Sequence, residues 1–193
     1  MNLDFQPVKT PKHIEAFHKL PFQIYEDYPQ WMPPLRSEIE KIFDREENPF
    51  FQTGECERYL IYNGSEAAAR FAVMNQPEKD KLQEPAMSGI GFVELYDDSQ
   101  IFGEMLNFAT DWHARRNYHA MRGPVNFSEN DTFWGLLVEN YDEPPIYGMH
   151  YHPPYYKQLF KNSGAEKLDD HLTYAFNFND PLPERLIRIS ERI

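Results

Sequence analysis

The sequence predicts an α+β (mixed α/β) domain with a central, mostly antiparallel sheet flanked by helices. Three observations carry that expectation. Two strand-like runs, 58–62 and 67–74, flank Asn63-Gly64, whose residues suit the positive φ angles of a tight hairpin turn. The most apolar strand-like run, 90–96, leads into a stretch where Ile101, Met105, Phe108 and Trp112 recur at steps of four, three and four, the signature of an amphipathic helix. Antiparallel runs therefore sit among helices in one chain, which is how layered α+β domains are written.

The elements follow in order. Residues 3–8 alternate apolar and polar, as a first strand does. Thr10-Pro11 fits an N-cap followed by proline in the first helical turn, and Ile14, Phe17, His18 and Phe22 continue at helical spacing until Pro21, which should kink or end the segment. Residues 28–34 form a proline-punctuated connection carrying Tyr28, Trp31 and Met32, side chains large enough to pin it to the domain. Leu35, Ile39, Ile42 and Phe43 make a second helical stripe that stops before Asn48-Pro49. The hairpin comes next, then a polar stretch, 76–85, expected as a solvent-exposed loop. Asp97 and Gln100 have capping-box spacing at the start of the long helix, Asp111 and Arg115 form an i, i+4 pair, and Asn117 suits its end. Residues 119–125 read as a short strand interrupted by Gly123-Pro124, and 126–131 as no regular element. A strand is expected at 146–150, a helix at 154–162 stopped by Gly164, and a strand at 172–178. A last helix starts after Asp180-Pro181-Leu182-Pro183 with Leu186, Ile189 and Ile193 on its apolar face. Residues 1–179 are thus expected as one domain, and 180–193 as the start of a helix leading into a further C-terminal part.

Composition narrows the function classes. The chain has 193 residues with 19 basic and 31 acidic side chains, a formal net charge of −12. Such a surface repels phosphate backbones and anionic lipid heads, which argues against a nucleic-acid or membrane-surface binder. Aromatic residues make up 16%, too many for a disordered chain. The lone cysteine, Cys56, supports neither a disulfide framework nor a cysteine zinc cage. With no apolar run of spanning length and no basic-then-apolar start, a cytoplasmic location is expected.

The strand-helix-strand unit at 91–127 and the segment PPYYKQLFKNSGAEK at 153–167 resemble the GNAT acyl-CoA N-acyltransferase superfamily. Four further stretches are similar to the N-terminal GNAT-like domain of a family of longer proteins: 29–34 (PQWMPP), Arg122-Gly123-Pro124, Asn130-Asp131 and Pro153-Pro154-Tyr155-Tyr156. The resemblance covers nearly the whole chain and speaks to fold more than to activity. It implies transfer of an acyl group from acyl-CoA to a small-molecule amine, with strand amides polarising the thioester carbonyl. Acyl-CoA would be a co-substrate, and no bound cofactor is expected. The C-terminal half of the same protein is the expected partner. Two departures speak against coenzyme A binding in this half. Asp97 and Asp98 stand where the family's glycine-containing loop would meet a diphosphate, and one like charge at about 4 Å costs roughly 1 kcal/mol even in water. Phe160 stands where the family's tyrosine protonates the leaving thiolate. The alternative reading is therefore a non-catalytic, degenerate GNAT half that serves as a structural or ligand-binding module.

Candidate residues follow from chemistry. Glu94, on the central strand, is a general base if burial raises its pKa, and otherwise faces solvent or pairs with a basic group. Tyr156 is a candidate acid beside Tyr155, set against the reading of both as packed phenols. Asn126, Ser128, Asn130 and Asp131 follow a strand end, where they either line a substrate cleft or cap their own turns. The expectation is one cleft, opened where strand 90–96 parts from strand 119–125, floored by Glu94, edged by those four polar residues and overlooked by Tyr156. His150 and His152 share a strand face, as a metal pair or as hydrogen-bonded histidines, but with no further ligands nearby no metal site is expected.

Overall fold

The structure, a computed structural model, describes residues 2–128, 132–174, 177, 179, 181 and 183–190. Its centre is a five-stranded sheet in sequence order: β1 (Leu3–Pro7), β2 (Glu55–Asn63), β3 (Glu66–Asn75), β4 (Met87–Leu95) and β5 (Ala120–Arg122). The first four strands pair antiparallel and β5 joins β4 in parallel, so the sheet is mixed and mostly antiparallel. The hairpin forms with its turn one residue later than expected: Asn63 ends β2 opposite Glu66, and Gly64, at φ 67, and Ser65 make the turn.

One face of the sheet carries α4 (Ser99–Ala114) and α5 (Tyr155–Asn162), which bury Phe102, Met105, Trp112 and Leu159 against Ile61, Phe71 and Leu95. The other carries α1 (Pro11–Ile24) and α2 (Arg36–Phe43), which bury Phe17, Leu20, Ile24, Ile39 and Ile42 against Leu60, Ala72 and Phe92. Because both faces are covered, β3 and β4 are buried along most of their length and read as near-continuous apolar runs. Among the described residues no helix is long and apolar enough to cross a membrane.

Several expectations change. Helix α1 runs through Pro21 to Ile24 rather than ending there. Proline removes the bond that the Phe17 carbonyl would otherwise accept, and Arg70 Nη1 replaces it at 2.7 Å. The 76–85 stretch holds a short helix, α3 (Pro77–Asp80), pinned by the buried Asp80, which accepts from Gln76 N at 2.7 Å and Tyr118 OH at 2.9 Å. The cap of α4 is Asp98, whose side chain accepts from Gln100 N and Ile101 N, one residue later than expected. No strand forms over 146–150 or 172–174, where Ile146, Leu172 and Tyr174 are exposed and, among the described residues, no neighbouring strand pairs with them. The final helix, α6, spans Glu184–Ser190, while residues 175, 176 and 178 and the side chains of Leu186, Ile189 and Ile193 lie outside what is described.

Candidate functional site

The end of β4 is where the sheet opens. Ladder pairing between β4 and β5 covers only Met87–Gly89 against Ala120–Arg122, followed by a single bond from Val125 N to Ile90 O at 2.9 Å. A register irregularity between β3 and β4, with Phe92 at φ 50, then turns the last residues of β4. At Leu95 two phenols stand in for a neighbouring strand. Its N–H donates to the Tyr156 hydroxyl at 2.9 Å, and its carbonyl accepts from Tyr155 at 2.8 Å and Tyr156 at 3.1 Å.

Glu94 lies beside this point and is only 3% exposed. Its carboxylate accepts from the Tyr25 hydroxyl, stands 3.5 Å from Arg70 Nη2 and adjoins the Tyr156 hydroxyl. Burial lifts its pKa above the usual carboxylate range, while Arg70 and the Tyr25 hydrogen bond oppose the shift. Burial and the Glu94 charge push the Tyr156 phenol well above its ordinary value, so it is a neutral hydroxyl at physiological pH. Tyr25 is held the same way, and Trp31 stacks on its ring at 4.8 Å. His150 and His152 adjoin this cluster with ring centroids 5.4 Å apart, and His152 also packs on Tyr156 at 5.1 Å. His152 Nδ1 accepts from Leu137 N at 3.2 Å, which places the proton of the neutral ring on Nε2. Burial lowers the pKa of both histidines, to about 4 for His150. Among the described residues no group of three or more His, Cys, Asp or Glu side chains gathers as a metal site would need.

The single cleft expected from the sequence divides in two. Asn126 and Ser128 line a small polar pocket with Asn75, Asp80, Gly89 and Arg122, at the opposite end of β4. Gly89 and Glu94 are five residues apart, about 15 Å along a strand, so these polar groups do not edge a cleft floored by Glu94. Asn126 Nδ2 donates to Ser128 Oγ at 2.8 Å and Thr132 O at 3.2 Å, which holds its own loop together. Asn130 and Asp131 lie outside the described residues. What does adjoin the Glu94 cluster is a groove of about 420 Å³ between α1 and α2, lined by Pro21, Phe22, Trp31, Leu35 and Ile39, with Arg70 also contributing. Arg70 and Tyr25 were not singled out in the sequence. The signal for Arg70 was present: it is the one charge inside the otherwise apolar run Ala67–Met74, and Glu94 is its counterpart on the next strand.

Two solved structures share the layout of this chain. One is AAC(6')-Iy in complex with the bisubstrate analogue CoA-S-monomethyl-acetylneamine: TM-score 0.53 and 8% identity, over 92% of this chain and 99% of that one. The other, described as a predicted acetyltransferase from Clostridium acetobutylicum with acetyl-CoA, has a TM-score of 0.50 and 11% identity, over 90% of this chain and 96% of that one. The chain has the GNAT N-acetyltransferase fold. No family model matches it. In sequence the chain is 30% identical over 185 residues to a protein named bacterial ceramide synthase from Caulobacter vibrioides, covering 95% of this chain and 48% of that protein. It is 24% identical over 167 residues to protein YghO from Escherichia coli K12, covering 86% of this chain and 42% of that protein. The chain thus spans about half the length of the curated relatives it matches.

The GNAT fold implies coenzyme A, and the first amides of α4 offer a direct test of fit. A diphosphate at a helix N-terminus needs free N–H groups and a positive local field. Here the Asp98 carboxylate already accepts from Gln100 N at 2.9 Å and Ile101 N at 3.0 Å, and Asp97 adds a second acid. These residues do not fit a coenzyme A diphosphate. Phe160 packs on Phe102 at 5.0 Å and, as a phenyl ring, has no proton to give.

Proposed function

We propose that the protein takes part in N-acyl transfer to an amine, and that this GNAT-fold half holds the acceptor while the donor's diphosphate is held outside it. The observation that carries this reading is Glu94: a carboxylate with raised proton affinity, buried where β4 has lost its strand neighbour and 3.5 Å from the Arg70 that lines the adjoining groove. A bound ammonium must lose a proton before it attacks a thioester, and a carboxylate tuned upward is suited to receive it. Tyr25 and Arg70 orient the Glu94 oxygens, and the neutral hydroxyl of Tyr156 fixes the end of β4. The relative named ceramide synthase supports the same reaction class, since a ceramide is an amide. The other half of an intact protein of the relatives' length is the proposed partner.

The test is amide formation by the protein from radiolabelled acyl-CoA and a panel of amines. Glu94→Gln should lower kcat by about 10²-fold or more with little change in KM. Full activity in that variant, or no amide from any amine, overturns the reading. The Asp98 cap on α4 favours a second reading, a non-catalytic half that binds ligand beside a catalytic partner. Under it, Glu94→Gln leaves kcat unchanged and changes ligand affinity alone.

A further inference from the structure

We infer that His150 holds the acceptor amine, its bare Nε2 accepting an N–H of the nitrogen whose proton Glu94 takes. This rests on the N-acyl-transfer reading; the state and placement of the ring are argued from the loop that carries it.

The ring is clamped with one nitrogen open. Residues 123–154 connect β5 to α5 with no strand or helix among the described residues, and a connection that long commonly exists to carry a site. Within it Phe133 takes a left-handed φ of 52, uncommon for an aromatic residue, and its N–H donates to Gly148 O. His150 hydrogen-bonds in turn to the Phe133 carbonyl, and because Nε2 has no partner the bond runs from Nδ1–H. Phe92 and Phe133 pack the ring at 6.0 and 5.7 Å. The proton therefore sits on Nδ1 and the Nε2 lone pair is free. His152 is the reverse case, since Leu137 N already occupies its Nδ1. Of the two histidines, His150 is the one that offers a ligand a free lone pair, and it keeps part of its surface.

The surroundings select a neutral amine. His150 Nε2 and the Nε–H of Arg70 are both buried without a partner, and the guanidinium charge bears on the imidazole. A buried acceptor left unanswered costs free energy until a donor reaches it. An ammonium is the wrong donor beside a guanidinium, because like charges repel. An amine that has given one proton to Glu94 is neutral, keeps its lone pair for the thioester carbon and still has an N–H for His150. Burial and Arg70 hold the ring itself neutral, with a pKa of about 4, so Nε2 stays an acceptor at physiological pH.

The first readout needs no turnover. The protein labelled with nitrogen-15 histidine is titrated with hexylamine while long-range proton–nitrogen NMR follows the ring nitrogens, His150 being assigned by its loss in His150→Asn. The free protein should show His150 Nε2 in the range of an unprotonated nitrogen, and hexylamine should move it upfield. N,N-dimethylhexylamine, which has no N–H left once Glu94 has taken its proton, should not. A protonated Nε2 in the free protein, an Nε2 that hexylamine leaves in place, or one that both amines move alike overturns the inference. The second readout is amide formation. His150→Asn keeps a donor for the Phe133 carbonyl but has nothing at the Nε2 position, and should lower kcat by about tenfold or more with a smaller change in KM. His150→Gln puts an oxygen near that position and should recover most of the loss. Equal kcat in the two variants overturns the inference and leaves the acyl-transfer reading standing. If no amine is acylated, that reading falls, while an upfield shift with hexylamine alone keeps His150 as an amine-binding residue.

Discussion

At the scale of single residues, Pro21 and Arg70 form one device. Proline inside α1 strips the Phe17 carbonyl of its helical partner, and the guanidinium that restores it is the one that balances Glu94. Removing the arginine therefore leaves two buried acceptors unanswered. Arg70→Met should destabilise the fold by about 3–5 kcal/mol, the range for breaking a buried ion pair from one side. Two second-site changes separate the contributions. Adding Glu94→Gln to Arg70→Met removes the orphaned charge and should recover the larger share. Adding Pro21→Ala instead gives Phe17 O an amide donor again and should recover about 1 kcal/mol. Urea midpoints of the three variants check this, and a Pro21→Ala that restores nothing in the Arg70→Met background would sink the account of α1. Much of this was readable. A single arginine in the apolar run of β3, a single glutamate in that of β4 and a proline four residues after Phe17 are all in the sequence. Their convergence was not, because it depends on α1 crossing that particular face of the sheet.

At the scale of elements, the crossing of β4 with the segment after β5 is fixed by glycine. A Cβ on Gly91 would lie 1.8 Å from the Val125 carbonyl oxygen, and one on Gly123 2.5 Å from Ile90 O, both backbone atoms that cannot swing aside. Gly91→Ala should thus cost about 3 kcal/mol or more, at the upper end for forced overpacking. Gly103 in α4 is the internal control. Nothing lies within 4 Å of its added Cβ, so Gly103→Ala should stabilise by about 0.5–1 kcal/mol through helix propensity. Thermal melts of the two variants should move in opposite directions, and a neutral Gly91→Ala would contradict the tight crossing. The same contrast explains which elements were legible. The hairpin and α4 carry local signals, a turn dipeptide and a 3.6-residue stripe, that hold whatever lies around them. The 172–174 segment carries only alternation, and alternation becomes a strand when an edge is there to pair with; Leu172 and Tyr174 are instead 72 and 83% exposed. The candidate site was half legible for a related reason. Glu94 and Tyr156 could be placed at one strand end from element order, whereas Asn126 and Ser128 were assigned there although the loop carries them back along β4 to Gly89.

At the scale of the whole molecule, the packing leaves three histidines in places where they cannot hold a charge. His113, on the buried side of the last turn of α4, is 2% exposed, neither ring nitrogen has a hydrogen-bond partner, and burial with Arg116 nearby lowers its pKa to about 4. Burial, with Arg70 adding to it, does the same for His150; that residue keeps part of its surface, but its Nε2 is buried. His152, 1% exposed, is pushed well below its ordinary value by burial and then by His150. In the unfolded chain each titrates near 6.5. Between that value and about 4 the unfolded state binds more protons than the folded one, so stability must fall as pH is lowered through this window. Above it the contribution is complete and flat. Glu94 acts with the opposite sign, because its raised folded pKa makes the native state the better proton binder just above the usual carboxylate range. Glu40, held down to about 2 by Arg58 and His18 against the effect of burial, is lost only below about pH 4.5 and steepens the acid limb there. The net expectation is a stability slope of roughly 2–3 kcal/mol per pH unit between pH 6 and 4.5, since three histidines against one glutamate leave about two linked protons, each worth about 1.4 kcal/mol per unit. Urea unfolding at half-unit pH steps measures it. His113→Phe should remove one histidine's share of the slope, and Glu94→Gln should make the slope steeper. A profile flat from pH 7 to 5, or a Glu94→Gln profile shallower than that of the natural protein, would show that these groups are not held neutral by the core.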